Sequence, residues 1–154
     1  MNMQVLEATH DDIPSLCRLL ATLFSQEIEF IPCFETQKNG LELILNNPQM
    51  GKIYILKEDE KVIGMVSLLF SISTALGGKV ALLEDMIIDP IWHNKGCGTF
   101  LLEHVLIDAK KLTCKRITLL SDADNLNAHH FYQRFGFELS SMKILRKIES
   151  DIPL

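Results

Sequence analysis

The segment from Leu83 to Leu102 constrains this chain more than any other. It reads LEDMIIDPIWHNKGCGTFLL: an apolar strand runs into Pro90, a turn with Gly96 and Gly98 follows, and the turn opens an amphipathic helix. A strand, a glycine-rich turn and a helix in this order form a site for a phosphate-bearing ligand. The reason is that the first N–H groups of a helix lack partners and carry a partial positive charge. We therefore expect the remaining chain to support this turn.

Composition restricts the classes of protein that remain. The 154 residues, 47% of them hydrophobic, fit one domain over residues 1–154 with a substantial core. The start has no signal-peptide pattern and no apolar run approaches the roughly 20 residues that span a bilayer, so we expect a cytoplasmic protein without a membrane partner. Four isolated cysteines predict neither a zinc site nor a disulfide framework. The net charge of -5 disfavours a nucleic-acid partner and fits a cationic acceptor.

Apolar periodicity predicts a mixed α/β fold. The long strand before Pro90 is nearly all apolar and is expected at the centre of the sheet. Gly64 lies inside a strand and indicates a bulge or a close backbone approach. Strands are predicted at residues 3–8, 52–56, 62–70, 79–88 and 115–121, with one or two closing strands in 137–148, and helices are predicted at 13–24, about 35–45, 99–112 and from the 122–125 caps through 133.

Two separated motifs resemble one family, the GNAT N-acetyltransferases that use acetyl-CoA. The first is HNKGCG at residues 93–98, similar to the family's loop of Arg or Gln, two residues, Gly, one residue, and Gly or Ala. The second is NLNAHHFYQRFGF, Asn125 to Phe137, similar to the family's Asn-x-x-Ala-x-x-Phe-Tyr-x-x-x-Gly-Phe. The resemblance implies a strongly twisted mixed sheet with helices on both faces. In it, the parallel strands at 81–88 and 116–121 would splay apart to admit the cofactor.

The resemblance implies cofactor contacts in three places. Backbone groups of the strand before the loop would bind the pantetheine arm, and the loop would hold the pyrophosphate, because glycine lets a ligand approach the backbone closely. Asn125 would contact the cofactor while it also caps a helix. The residues expected to bind acetyl-CoA are Met86, Ile87, Ile88, His93, Asn94, Lys95, Gly96, Cys97, Gly98, Thr99, Asn125 and Phe131.

Two residues of the loop depart from the family's usual choices. His93 replaces Arg or Gln; it still donates a hydrogen bond, and because histidine titrates near neutral pH we expect pyrophosphate binding to strengthen at lower pH. Cys97 lies between the glycines, where the family usually has an apolar residue. We interpret it as a small buried hydrophobe rather than as a covalent nucleophile.

Three side chains are candidates for acid–base catalysis. An amine acceptor must lose a proton before it attacks a thioester, and Glu84 or Asp85, directly or through water, could take that proton. Consecutive strand residues face opposite sides, so we expect one of the two to reach the acceptor. The resemblance gives the Tyr132 hydroxyl the role of protonating or stabilising the departing thiolate. Because His129 and His130 are adjacent on a helix and cannot both face one ion, we predict no metal.

The sequence therefore predicts an enzyme that moves acetyl from acetyl-CoA to a primary amine by direct attack in a ternary complex. The alternative is a non-catalytic acyl-CoA-binding module that acts through a protein partner. We expect the small-molecule or peptide acceptor to bind among residues 24–34, the 71–78 loop and the C-terminal strands. Glu27, Glu29 and Glu35 favour a cationic amine. A sheet edge near the C-terminus would permit a homodimer.

Overall fold

The computed structural model describes residues 2–26 and 32–149. Contacts divide the chain into two compact units, which are described separately. The N-terminal unit comprises the described residues up to Leu119, and the C-terminal unit runs from Leu120 to residue 149. The assignment of one domain to residues 1–154 stays a prediction.

The N-terminal unit is a mixed five-stranded sheet with helices, which confirms the predicted α/β class. The strands lie in sequence order; the first four pair antiparallel and the last two pair parallel. The strands are β1 (Met3–Glu7), β2 (Gly51–Glu58), β3 (Lys61–Ser73), β4 (Gly78–Ile88) and β5 (Ile117–Leu119), and the helices are α1 (Ile13–Ser25), α2 (Phe34–Leu45) and α3 (Cys97–Lys111).

The start of α1 follows from local chemistry. The Thr9 N–H donates to Asp12 Oδ2 at 2.8 Å, which closes a short 3-10 turn at His10–Asp12. Pro14 then occupies the first helical turn, where its missing N–H costs nothing. The buried face of the helix carries leucines, each worth about 1.5–3 kcal/mol when fully removed from water. It packs with α2 against one sheet face, in a core that includes Leu16, Leu19, Leu20, Leu41, Ile53, Ile55 and Met65.

Helix α3 covers the other face of the sheet. Tyr54 alternates with Ile53 and Ile55 along β2, so its side chain points away from α1 and α2. Its hydroxyl hydrogen-bonds the carboxylate of Asp108, which lies on α3. The sheet is therefore covered on both faces, as the resemblance implies.

The β2–β3 hairpin contains the irregularity that Gly64 predicts. Leu56 pairs with Gly64 whereas the next residue of β2, Lys57, pairs with Val62, so β3 carries one extra residue. A Cβ built on Gly64 would lie 3.2 Å from the Ile87 backbone oxygen and 2.6 Å from Cδ1 of Ile88. Both parts of the prediction, the bulge and the close approach, are confirmed.

Two strand ends differ from the sequence prediction. β3 extends to Ser73, because residues 71–73, predicted as loop, continue the antiparallel pairing with β4. β5 is shorter than the predicted 115–121 stretch, because its pairing with β4 runs only from Ala81–Ile117 to Leu83–Leu119. Apolar and β-branched residues indicate an extended backbone, and the neighbouring strand decides how much of it is paired.

The C-terminal unit is built on one helix, α4 (Leu126–Gln133). The Asn125 side-chain oxygen caps it by accepting the Ala128 N–H at 3.2 Å, and Gly136 ends it with φ of +91°. The structure has no strand among residues 137–149, so the predicted closing strands are wrong there. The alternating apolar residues favour extension, but a strand also needs a partner backbone, and Met142 and Leu145 remain exposed.

Candidate active site

The end of β4 is open on the side of β5. The parallel pairing stops at Leu83, opposite Leu119, whereas β4 continues to Ile88. Residues 84–88 therefore present one backbone edge without a β5 partner in the described structure. The splaying of the two strands that the resemblance implies stays a prediction.

A bulge in β4 lies at the start of this open edge. Met65 pairs with Ile87 but Ser67 pairs with Glu84, so one residue of β3 faces both Asp85 and Met86. Asp85 has φ of +55°, a left-handed conformation that costs a non-glycine residue about 1–2 kcal/mol. Strain of this kind is concentrated at functional sites. Sequence periodicity could not show it, and the expectation that Glu84 and Asp85 face opposite sides assumed a regular strand.

The register places Glu84 on the sheet face that α1 and α2 cover. Glu84 is half-buried and pairs with Ser67 of β3. On its other side, Ser67 pairs with Ile53 of β2, which belongs to the core under α1 and α2. Paired residues of an antiparallel ladder share a face. The Glu84 side chain therefore leaves the strand on the same face as that of Ser67.

An ion pair between Arg18 and the buried Asp89 supports the turn after β4. Asp89 is buried; its carboxylate accepts the Ile91 N–H at 3.1 Å and Arg18 Nη1 at 3.1 Å. The other arm of Arg18 donates to the Val62 backbone oxygen at 2.9 Å. The cost of burying the Asp89 charge is offset by these donors. Sequence analysis missed Arg18, because nothing in the local pattern links α1 to a residue so far along the chain.

The glycine turn ends in a helix N-terminus with free donors. Asn94 and Gly96 have φ of +60° and +78°, and the first backbone bond of α3 runs from the Phe100 N–H to the Gly96 oxygen at 3.0 Å. The N–H groups of the intervening residues 97–99 therefore have no acceptor within the helix. A Cβ on Gly96 would meet no atom within 4 Å, so this position faces open space. The geometry fits the anion site predicted from the sequence.

His93 joins this turn to β4. Its ring Nε2 lies 2.9 Å from the Ile88 backbone oxygen, and its own N–H donates to the Pro90 oxygen at 3.2 Å. The Ile88 oxygen, expected to bind the pantetheine arm, is thus already hydrogen-bonded. A carbonyl oxygen has two lone pairs, so this oxygen can accept a second hydrogen bond from a ligand.

The remaining loop side chains differ in how accessible they are. Cys97 is buried with its sulfur 3.7 Å from that of Met3, and burial raises the pKa of its thiol. The uncharged thiol is a poor nucleophile, so Cys97 has only its backbone N–H to offer a ligand. Lys95 is exposed, with its ammonium 5.1 Å from the centre of the Trp92 ring, and Thr99 is half-buried.

In the C-terminal unit, Tyr132 lies in an aromatic cluster. Its ring centre is 5.1 Å from that of Phe131 and 5.7 Å from that of Phe137, both edge-on. Burial raises the pKa of Tyr132 to about 12, because the charged phenolate is disfavoured away from water. The hydroxyl therefore keeps its proton at any physiological pH. Asn125 uses its side-chain oxygen to cap α4, which leaves its amide N–H groups available to a ligand.

The described residues contain neither a metal-binding cluster nor a helix that could span a membrane. Across residues 2–26 and 32–149, no group of three or more His, Cys, Asp or Glu side chains is arranged to hold a metal ion. No helix in this part of the chain is long and apolar enough to cross a membrane.

A mixed sheet whose last two strands are parallel, with a glycine turn that leads into a helix, is the arrangement that the resemblance to acetyl-CoA-dependent acetyltransferases implies. The chain belongs to the acetyltransferase (GNAT) family, whose model matches residues 14–137. This family uses acetyl-CoA, and membership supports acyl transfer as the general activity. The resemblance inferred from the loop and from the 125–137 segment is confirmed.

Individual relatives support the fold. YxbD, an uncharacterized protein of Bacillus subtilis (strain 168), is 28% identical over 116 residues, covering 72% of this chain and 68% of YxbD. A possible acetyltransferase from Clostridium difficile 630 matches with a TM-score of 0.86 and 15% identity over 97% of this chain and 99% of that one. A predicted acetyltransferase from Clostridium acetobutylicum, solved with acetyl-CoA, matches with a TM-score of 0.78 and 18% identity over 95% of this chain and 96% of that one. At these identities the two structures establish the fold alone.

Proposed function

We propose that this protein is an N-acetyltransferase that moves acetyl from acetyl-CoA to a primary amine by direct attack in a ternary complex. The observation that carries the proposal is the start of α3. There, the N–H groups of residues 97–99 have no helical acceptor, Gly96 faces open space, and the edge of β4 is free of β5. Free donors at a helix N-terminus suit a pyrophosphate, and an open strand edge suits the amides of a pantetheine arm.

The chain offers donors of the right kind to hold the cofactor. The loop from His93 to Thr99 would bind the pyrophosphate through backbone N–H groups, with Lys95 adding a charge and Thr99 a hydroxyl. Backbone groups of Met86–Ile88 would bind the pantetheine arm, and Asn125 and Phe131 would add contacts from the 125–137 segment. When bound, acetyl-CoA supplies the acetyl group as an activated thioester.

Glu84 is proposed as the general base. A primary amine with a pKa near that of lysine, about 10.4, is charged at neutral pH and must lose a proton before it can attack. Glu84 is a half-buried carboxylate next to the bulge in β4, and it would take the proton directly or through a water molecule. Asp85, within the bulge, is the second candidate for this role.

Tyr132 is proposed as the general acid. A proton donor must still hold its proton when the leaving group departs, and burial keeps the Tyr132 hydroxyl protonated. The hydroxyl would give its proton to the sulfur of the departing thiolate, or stabilise that sulfur by a hydrogen bond. Its position in the family motif supports this role.

The proposed acceptor is a cationic amine on a small molecule or a peptide. The net charge of -5 and Glu35 in the first turn of α2 support this class. Glu27 and Glu29, which also favour a cation, lie outside the described residues.

Thiol release from acetyl-CoA tests the proposal. The purified protein is incubated with acetyl-CoA and, separately, with a polyamine, an aminoglycoside, free amino acids and a peptide with a free N-terminus. Release above the amine-free blank with at least one of these amines supports the enzyme. Saturable acetyl-CoA binding without release for any amine would instead support the non-catalytic module.

A further inference from the structure

A cavity of about 250 Å³ lies between β1 and the C-terminal half of α3. Tyr54 lines it from β2, on the face of the sheet that α3 covers. Glu84 leaves β4 on the opposite face, so this cavity is separate from the proposed acceptor site. Sites for drug-sized ligands occupy about 300–1,000 Å³, so this cavity suits a smaller metabolite and not acetyl-CoA.

Hydrogen bonds hold the polar groups of this cavity in place. The Tyr54 hydroxyl donates to Asp108 Oδ2. Lys52 Nζ lies 3.4 Å from the same oxygen and 2.5 Å from Oε1 of Glu7. Burial and the bond to Asp108 raise the pKa of Tyr54, so the phenol keeps its proton and remains a donor. The Asp108 carboxylate is therefore held in one orientation at the cavity wall.

Two carboxylates of this network still offer acceptor positions to a ligand. A carboxylate has about four lone-pair positions, and the bonds from Tyr54 and Lys52 to Asp108 both use Oδ2. The Asp108 side chain is 31% exposed and lines the cavity, so it can accept from a ligand there. Glu7 also lines the cavity and engages Lys52 through Oε1 alone of its two oxygens. This side of the cavity is complementary to an ammonium group.

Helix α3 supplies donors for a carboxylate. Lys111 lines the cavity three residues after Asp108, and His104 lines it four residues before. This spacing brings the three side chains to one face of the helix. The Lys111 ammonium has three donors, and His104 has a second ring nitrogen besides the Nδ1 that lies 2.8 Å from the Phe100 backbone oxygen. A negative group can therefore bind beside the position of the ammonium group.

The balance of charge and the apolar wall define the class of ligand. The two carboxylates are matched by the ammonium groups of Lys52 and Lys111, so the formal charges at the cavity cancel. A polyamine or a dicarboxylate would add net charge there, whereas a zwitterion keeps the balance and pairs with both kinds of group. Val5 and Ile107 add aliphatic surface to the lining, and Ile107 is 57% exposed. Covering this surface favours a ligand with an apolar side chain.

We propose that this cavity binds an α-amino acid with an aliphatic side chain. The ammonium group of the ligand donates to Asp108 and Glu7, and its carboxylate accepts from Lys111. Its side chain packs against Val5 and Ile107. Binding is non-covalent and includes no acetyl transfer, so this site goes beyond the proposed function and does not depend on it.

A chemical-shift titration with L-leucine, without acetyl-CoA, tests the site. The 15N-labelled protein should show saturable shifts that are concentrated at residues 5–7 and 104–111. Leucine methyl ester retains only the ammonium group and N-acetylleucine retains only the carboxylate, so each should bind about 10-fold more weakly than leucine. Shifts that do not saturate with leucine at millimolar concentrations, or equal affinities for the three compounds, would overturn the inference.

Lys111→Met and Lys110→Met are the matched variants for this titration. Both lysines are exposed in the last turn of α3, and of the two only Lys111 lines the cavity. Lys111→Met should weaken leucine binding about 10-fold, and Lys110→Met should leave it unchanged. Equal losses in the two variants, or shifts centred on Glu84, would show that leucine binds elsewhere and would overturn the inference. Because no acetyl-CoA is present, this result and the transfer assay can fail independently of each other.

Discussion

Nε2 of His93 lies 2.9 Å from the backbone oxygen of Ile88, so the first residue of the glycine loop is fastened to the last residue of β4. This hydrogen bond connects the two parts of the proposed cofactor site. One part is the strand edge expected to bind the pantetheine arm, and the other is the loop expected to bind the pyrophosphate. A change at His93 should therefore affect cofactor binding more than it affects stability.

Replacing His93 with alanine removes this connection. A hydrogen bond of this kind contributes about 1 kcal/mol, so we expect acetyl-CoA affinity to fall about 5-fold, measured by calorimetric titration. His104→Ala is the matched control, because its Nδ1 lies 2.8 Å from the Phe100 backbone oxygen within α3. We expect His104→Ala to lose about as much stability as His93→Ala, with its affinity for acetyl-CoA unchanged. Equal losses of affinity in the two variants would show that the His93 hydrogen bond has no special role in cofactor binding. Titrations at lower pH test whether binding to the wild type strengthens there.

Gly96 and Gly77 form a second matched pair. Both have a left-handed backbone, with φ of +78° and +70°, and neither has an atom within 4 Å of an added Cβ. Alanine at either position should cost about 1–2 kcal/mol of stability through the same strain. Gly96→Ala should also weaken acetyl-CoA binding at least about 10-fold, since its methyl group would occupy the space that the ligand needs. If Gly77→Ala weakened binding equally, the loop would not be the cofactor site.

Sequence patterns predicted the parts of this fold that depend on local chemistry. β4 and α3 were predicted within two residues of their observed bounds, because a continuous apolar run and a helical apolar stripe are local signals. The left-handed Asp85 was not predicted, since a bulge depends on how two strands pair. The Arg18–Asp89 ion pair and the Ser67–Glu84 pair were missed for the same reason, because each joins residues far apart in sequence.

Tyr132 should determine the rate of transfer and leave cofactor affinity unchanged. Tyr132→Phe is expected to lower kcat about 10–100-fold with an unchanged acetyl-CoA dissociation constant. Tyr54→Phe is the control, because the Tyr54 hydroxyl bonds Asp108 on the face of the sheet that α3 covers. This control should lose stability and keep its kcat. A full kcat in Tyr132→Phe would remove this residue from the chemistry.

The same tyrosine gives a prediction for alkaline pH. Burial raises the pKa of Tyr132 to about 12, above the ordinary value of 10.0. The neutral form is the one that the fold favours, so its contribution to stability is complete below pH 10 and is lost as the pH rises through about 12. The kcat of the wild type should accordingly show no decline due to Tyr132 between pH 8 and pH 10. If kcat of the wild type fell between pH 8 and pH 10 while the residual kcat of Tyr132→Phe did not, Tyr132 would lose its proton too early, and this result would contradict its role as a general acid.

The ion pair between Arg18 and Asp89 should stabilise the turn that leads from β4 into the glycine loop. Arg18→Leu leaves the buried Asp89 carboxylate without its cation. Because the Arg18 side chain is 47% exposed and the pair is partly screened by water, we expect the free energy of unfolding to fall by about 1–3 kcal/mol. Thermal melting measures this as a drop of about 2–4 °C per kcal/mol. Lys147→Met, which breaks the exposed pair with Glu149, is the control and should leave the melting temperature unchanged. Equal melting temperatures for the two variants would show that the Arg18–Asp89 pair contributes nothing.

An isotopically labelled acetyl group tests directly whether this protein transfers acetyl from acetyl-CoA to an amine. Wild-type protein is incubated with deuterated acetyl-CoA and the best amine of the panel, and the products are analysed by mass spectrometry. We expect the label to appear on the amine nitrogen, at a rate that Tyr132→Phe and Glu84→Gln both reduce. Label found only in free acetate, or retained entirely in acetyl-CoA, would contradict this expectation.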